Sequence, residues 1–218
     1  MIMKNKWKPA DDLDLEANAL SAATETKQCL MLTAGPGSGK TEVLAQRADF
    51  LLRTGACPYP KRILAISFKV DASKNLKNRV RCRCGDTFAA RLDSCTFHAF
   101  AKQIINCFRP ELKGNHALDI DYQIGETAIP RKQIRLKDLA PLAINILNKS
   151  AVARRAIRLT YSDVFLDEFQ DCTEEQYNLL KLAFHGTRIR LTAVGDEKQK
   201  IMTWAGALDG VFQTFTDD

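Results

Sequence analysis

Short runs of consecutive apolar residues alternate along the chain with longer stretches in which apolar positions recur every three or four residues. A run of the first kind fits a strand buried on both faces, and a stretch of the second kind fits a helix laid against it. Their alternation predicts crossover units on a parallel sheet. Cys29-Leu30-Met31-Leu32-Thr33 predicts the first strand, followed by a glycine-rich loop and a helix from about Lys40 to Arg53. Gly55, Pro58 and Pro60 end that helix, and Arg62-Ile63-Leu64-Ala65-Ile66-Ser67 predicts a second strand. A helix near Asp71 to Val80 follows, with Ala72, Leu76 and Val80 on one face. Ser94-Cys95-Thr96 then predicts a short strand end feeding a helix that carries Phe97, Phe100, Ala101, Ile104 and Ile105. Late in the chain, Asp163-Val164-Phe165-Leu166 predicts a strand, Thr173 to about Phe184 a helix, and Ile189 to Val194 another strand.

Between about Arg109 and Arg158 the texture changes. Pro110, Gly114, Gly125 and Pro130 punctuate the segment, and Arg131, Lys132, Arg135, Lys137, Lys149, Arg154, Arg155 and Arg158 make it basic. The organisation that follows is a core in two parts, residues 1–108 and 161–218, around a small and mostly helical insertion at 109–160, whose longest amphipathic stretch is near Leu136 to Leu147. The basic residues fit either a surface that tracks a phosphate backbone or a solvated helix face.

Composition narrows the class. The chain has 218 residues, 45% of them hydrophobic, enough for a real core, and a net charge of +6 that suits a polyanionic partner without requiring one. The start Met1-Ile2-Met3-Lys4-Asn5-Lys6 is basic but leads into no apolar run, so neither a signal peptide nor a membrane span is expected, and a cytoplasmic (or, in a eukaryote, nuclear) monomer is. The seven cysteines are scattered and expected as free thiols. Cys82, Cys84, Cys95 and His98 offer four soft ligands, but Cys-x-Cys lacks the usual spacer of a structural zinc site.

The chemistry is concentrated in three places. Ala34-Gly35-Pro36-Gly37-Ser38-Gly39-Lys40-Thr41 fits the phosphate-loop pattern, with Ala34 at the first glycine position. Glycines let backbone N–H groups close around phosphates, the helix N-terminus at Lys40 adds its dipole, Lys40 reaches the outer phosphates, and Thr41 is suited to ligate Mg²⁺. Phe165-Leu166-Asp167-Glu168 places two acids at a strand end, where Asp167 can hold Mg²⁺ and Glu168 can serve as general base. A third strand ends in Val194-Gly195-Asp196-Glu197-Lys198-Gln199, where Gln199 can hydrogen-bond the γ-phosphate or the attacking water. Acids and a Gln in these places suit transfer to water, which disfavours a phosphate-loop kinase.

Four blocks, Ala34 to Thr41, Cys95-Thr96-Phe97-His98-Ala99-Phe100-Ala101, Asp167-Glu168-Phe169-Gln170-Asp171, and Val194 to Ala207, resemble in order the motifs of UvrD/Rep-like superfamily 1 DNA helicases. The resemblance runs from about Leu13 to Phe215. It implies an α/β RecA-like P-loop NTPase domain, a parallel sheet flanked by helices, with a shortened insertion. It further implies ATP and Mg²⁺ as cofactors and 3′ to 5′ translocation on single-stranded DNA, with RNA as the other candidate strand. Gly35, Pro36, Gly37, Ser38, Gly39, Lys40 and Thr41 would hold the nucleotide, and Phe68, Thr96, Phe97, His98 and Trp204 would lie near the nucleic acid. Stacking of a base on Trp204 is physically sensible, and core packing is the alternative for each aromatic.

The chain departs from the family pattern at several points. Where the family reads adenine with a Gln ahead of the loop, the best-aligned residue is Glu16, which when ionised only accepts hydrogen bonds. Lys69-Val70-Asp71-Ala72 stands where the family tends to show Thr-Asn-Lys-Ala, and Met202 and Ala205 stand where it usually carries an aromatic and an Arg. The resemblance ends before a second motor domain, so the expectation is an ATPase motor fragment incapable of unwinding without that domain in cis. The competing class is a nucleotide-dependent binding or switch module.

Overall fold

A computed structural model describes residues 1–33, 35, 37–196, 199 and 207–217. They form two compact units, Met1–Thr96 with Leu159–Cys172 and Arg188–Asp218, and Phe97–Arg158 with Thr173–Thr187. The second is larger than the insertion at 109–160, since it takes in the helices on either side in space.

The first unit is built on five parallel strands: β1 (Leu30–Thr33), β2 (Arg62–Ser67), β3 (Leu92–Thr96), β6 (Tyr161–Leu166) and β7 (Arg190–Gly195). Their order across the sheet is β1-β7-β6-β2-β3. Register aligns the carboxyl ends: Thr33 lies beside Gly195, Leu166 beside Ala193, and Ile66 beside Leu166. The strands are parallel because helices return the chain between them. Those in this unit are α1 (Ala17–Thr24), α2 (Lys40–Arg53), α3 (Val70–Ala89) and α8 (Val211–Asp217). β2 and β6 are almost wholly buried, as continuous apolar runs in a covered sheet should be. This is the parallel sheet flanked by helices that the pattern predicts, and it is consistent with the RecA-like P-loop fold that the resemblance implies.

α2 forms the centre of the packing. Leu44, Ala45, Ala48, Phe50, Leu51 and Leu52 are buried against Ile63, Ala65, Leu76, Phe165 and Val194. Each fully buried large side chain contributes on the order of 1.5–3 kcal/mol. α3 outruns the predicted Val80 to reach Ala89, with Gly85 at φ +77 breaking its regularity. The extension persists because Cys84 and Phe88 pack against the same core.

Charged groups also enter this interior. Asp163 on β6 is fully buried and accepts two hydrogen bonds of 2.7 Å from Arg190 on β7. Arg190 also donates to the carbonyls of Thr26 and Ala56, at 2.9 and 3.1 Å, so the pair ties two chain reversals to the sheet.

In the second unit, α4 (Phe97–Phe108), α5 (Leu139–Lys149), α6 (Ala151–Thr160, of which Ala151–Arg158 belongs here) and α7 (Glu174–Phe184) are accompanied by a two-stranded parallel ribbon, β4 (Leu118–Ile124) with β5 (Arg131–Ile134). α7 opens on a reciprocal cap: Thr173 Oγ1 accepts from the Gln176 backbone and Gln176 Oε1 from that of Thr173. No helix among the described residues is long and apolar enough to cross a membrane.

Candidate functional site

Because β1, β7 and β6 are neighbours with aligned ends, the three segments singled out by chemistry leave the sheet side by side. Gly37, Ser38, Gly39, Lys40, Thr41, Glu42, Arg79, Glu168 and Gln199 line one cleft of roughly 390 Å³. The phosphate loop, one of the two acids and the Gln are therefore brought together.

The loop is held by its own backbone. Ser38 Oγ donates to Gly35 O at 2.7 Å, and Lys40 Nζ donates to the same carbonyl at 3.0 Å, holding the ammonium over the loop. Gly37 and Gly39 have φ of +72 and +78, and a Cβ at either would meet nothing within 4 Å. Glycine is required there by backbone conformation and not by crowding. Gly39 is also the N-cap of α2, whose first backbone N–H groups lack helical partners and face the loop.

Asp167 begins the turn after β6. It is only 4% exposed, and burial, reinforced by the neighbouring Glu168 carboxylate, pushes its pKa up to about 6 against the pull of the Glu168 N–H and Lys40. Glu168 occupies left-handed backbone at φ +53 and ψ +43, a conformation that costs a non-glycine residue on the order of 1–3 kcal/mol. Glu168 lines the cleft, whereas Asp167 does not. Beyond it, Phe169–Asp171 closes a single 3₁₀ turn, and Phe169 packs edge-on against Phe212 of α8 at 5.6 Å between centroids.

Glu42, Arg79 and Arg83 lie outside the motif blocks, and Gln170 lies inside the block Asp167 to Asp171 with no role assigned to it there. Arg79 of α3 reaches the cleft and pairs with Glu42 at 3.0 Å, while Arg83, one turn on, pairs with Glu42 at 2.8 Å and with Asp11. The four-residue spacing of Asn75, Arg79 and Arg83 on one face of α3 was the available sign. Gln170 is 4% exposed, donates to Glu168 Oε2 at 2.7 Å and accepts the Asp196 backbone N–H at 3.0 Å. Asp196 in turn accepts from Gln199 Nε2 at 2.5 Å.

Other expected residues lie elsewhere. Glu16 is the N-cap of α1, exposed, with no cap hydrogen bond and outside the cleft lining. Pro36 and Trp204, with Met202 and Ala205, fall outside the described residues. Phe68 and Thr96 are partly buried at the ends of β2 and β3, and His98 is exposed on α4. Phe97 is 3% exposed and is buried on α4. Part of the basic character of the insertion is likewise internal. Arg131 and Arg135 pair with Asp119 and Asp138, Arg154 donates to Leu147 O, and Arg158 donates to Ala183 O and Leu182 O. The described residues bring no three His, Cys, Asp or Glu side chains together in a metal-binding group, so Cys82, Cys84, Cys95 and His98 do not converge.

The chain is 29% identical over 210 residues to the Gabija protein GajB of Bacillus cereus, across 86% of this chain and 41% of that protein. It is 30% identical over 243 residues to the ATP-dependent DNA helicase Rep of Escherichia coli, across 84% of this chain and 36% of Rep. To the ATP-dependent DNA helicase PcrA of Staphylococcus aureus it is 26% identical over 248 residues, across 85% of this chain and 33% of PcrA. It thus spans less than half the length of these curated relatives. A family model described as an AAA domain matches residues 16–205, which include every segment lining the cleft. The chain belongs to the AAA domain family, as a UvrD/Rep-like member of it.

Proposed function

We propose that this chain is the ATP-binding and ATP-hydrolysing motor domain of a superfamily 1 helicase acting 3′ to 5′ on single-stranded DNA. The observation that carries the reading is the single cleft in which a glycine loop at a helix N-terminus faces Glu168, Arg79 and Gln199.

In this reading the loop N–H groups from Gly37 to Thr41 and the Lys40 ammonium hold the β- and γ-phosphates. Thr41 and Asp167 would hold Mg²⁺. Both offer hard oxygen donors, and a carboxyl whose burial disfavours its own charge is relieved by a cation. Two protein oxygens suffice, because Mg²⁺ characteristically takes the rest from phosphate and water. When bound, the ion neutralises charge on the β- and γ-oxygens. Gln199 orients a water in line with the γ-phosphorus, and Glu168 accepts its proton as the new P–O bond forms. The bond to the β–γ bridging oxygen breaks, and ADP leaves with that electron pair. Arg79 stands where it can exchange Glu42 for a phosphate oxygen.

The DNA substrate is inferred from the helicases Rep and PcrA, to which the chain is similar. Unwinding is proposed to need a second RecA-like domain, because translocation requires two bodies that close on nucleotide and open after hydrolysis. The test is nucleotide binding and ATP turnover, with and without single-stranded DNA, for the chain and for Lys40→Ala and Glu168→Gln. Lys40→Ala is expected to weaken nucleotide binding at least about tenfold. Glu168→Gln should bind normally and lose at least about 100-fold in turnover. Wild-type turnover in both variants would overturn the site.

A further inference from the structure

The hydrogen bonds of Gln170 form a chain that the roles above do not use. Its carboxamide is nearly excluded from solvent, and both ends are engaged: Nε2 donates to Glu168 Oε2 at 2.7 Å, and Oε1 accepts the backbone N–H of Asp196 at 3.0 Å. From Asp196 the connection continues to Gln199 Nε2 at 2.5 Å. Four residues, Glu168, Gln170, Asp196 and Gln199, are thus linked from the strand end of β6 to the segment after β7. Both termini of the chain, Glu168 and Gln199, line the cleft, while the two middle members do not.

Gly195 shows how closely this path is built. Its φ is not in the left-handed region, so conformation does not demand glycine there. A Cβ would collide with Oε1 of Gln170, would stand 2.7 Å from Cζ of Phe212, and would lie 3.2 Å from the Phe169 backbone nitrogen. The residue before Asp196 is therefore kept bare to admit the Gln170 amide.

The amide orientation is fixed by chemistry. A backbone N–H can only donate, so the Gln170 atom facing Asp196 must be the oxygen, which turns the NH₂ group to the carboxylate. A donor held against one carboxylate oxygen fixes the rotation of that group, and Oε1 of Glu168 is left to take a proton. Glu168 already sits on strained backbone, so its side chain benefits from such a brace.

We infer that Gln170 is a positioning residue that orients the Glu168 carboxylate and links it mechanically to Gln199, so that the base and the γ-phosphate-sensing Gln adopt their working positions together. This rests on the reading of Glu168 and Gln199 given above. It predicts that a displacement of Gln199 on phosphate binding is passed through Asp196 and Gln170 to the base.

The test uses the full chain with ATP, with Gln170→Ala, Gln170→Glu and Gly195→Ala beside Glu168→Gln. Gln170→Ala is expected to lower kcat about 10- to 100-fold, as misplacement of a catalytic group does, with KM for ATP and affinity for a non-hydrolysable analogue within about twofold of wild type. Gln170→Glu, the same size without the donor, should not rescue kcat. Gly195→Ala, whose added methyl displaces the Gln170 amide, should reproduce the loss. A purely structural role would instead weaken nucleotide binding and kcat together.

A second readout needs no turnover. The side-chain amide NMR signal of Gln170, assigned by its disappearance in Gln170→Ala, should shift clearly in Glu168→Gln, where the anion it donates to is gone, and again on addition of the analogue. An amide unmoved by both overturns the inference, as does wild-type kcat in Gln170→Ala when Glu168→Gln is inactive. Full turnover in Glu168→Gln would instead overturn the assignment of the base itself.

Discussion

Asp167→Asn should make the nucleotide-free chain more stable while removing its activity. The wild-type carboxyl is 4% exposed, and its pKa is raised from the ordinary 3.8 to about 6, chiefly by burial and then by Glu168. Because the folded value lies above the unfolded one, the native state holds this proton more tightly. Stability is complete below about pH 4 and is lost as pH rises through about 6, after which the cost is constant. The difference, roughly two powers of ten in proton affinity, corresponds to about 3 kcal/mol at pH 7.5. Asn keeps an oxygen for the Glu168 N–H, which Asp167 Oδ1 accepts at 3.1 Å, and carries no charge to desolvate. Allowing for relaxation around the site, the variant should gain about 1–3 kcal/mol at pH 7.5 and almost nothing at pH 4. Urea unfolding at the two pH values measures this. A variant no more stable than wild type at pH 7.5, or one equally stabilised at both, would refute the reasoning. Added magnesium nucleotide should reverse the ranking, since only the wild type has the carboxylate for the ion.

Two further outcomes follow from the same structure. Glu42→Gln removes a negative charge from the cleft and releases Arg79, whose side chain is 43% exposed. Since an exposed pair is worth up to about 1 kcal/mol, nucleotide affinity should rise by about two- to fivefold in a fluorescence titration, and weaker binding would show that Glu42 supports the ligand instead. Asp163→Ala leaves Arg190 largely buried without its anion, at a cost of about 3–5 kcal/mol in urea unfolding, and adding Arg190→Met should recover much of that loss.

The parts legible in the sequence were those governed by local rules. The strands β1, β2, β6 and β7 announce themselves as apolar runs, and the loop from Gly35 to Thr41 has a spacing dictated by phosphate geometry. What escaped depends on tertiary placement. The ribbon of β4 and β5 has mostly polar or exposed positions, so no alternation marks it. Arg79 enters the cleft only because α3 lies beside α2. Gln170 stands inside the motif block Asp167 to Asp171, but its bond to Asp196, 26 positions away, appears only in the fold. Phe97 illustrates the converse: a motif position whose ring the fold uses to pack α4.

The strand order has a consequence for synthesis of the protein. Among the described residues, β1, which leads into the phosphate loop, is an edge strand joined to the sheet through β7, and β7 is made after β2, β3 and β6. A ribosome releases Leu30 about 160 residues before the Thr192 it must lie beside. While the chain grows, β2, β3 and β6 can pair, but the loop strand has no neighbour, and closing so long a separation is slow. The strand that leads into the loop is therefore seated in the sheet only once β7 has been made and lies between β1 and β6.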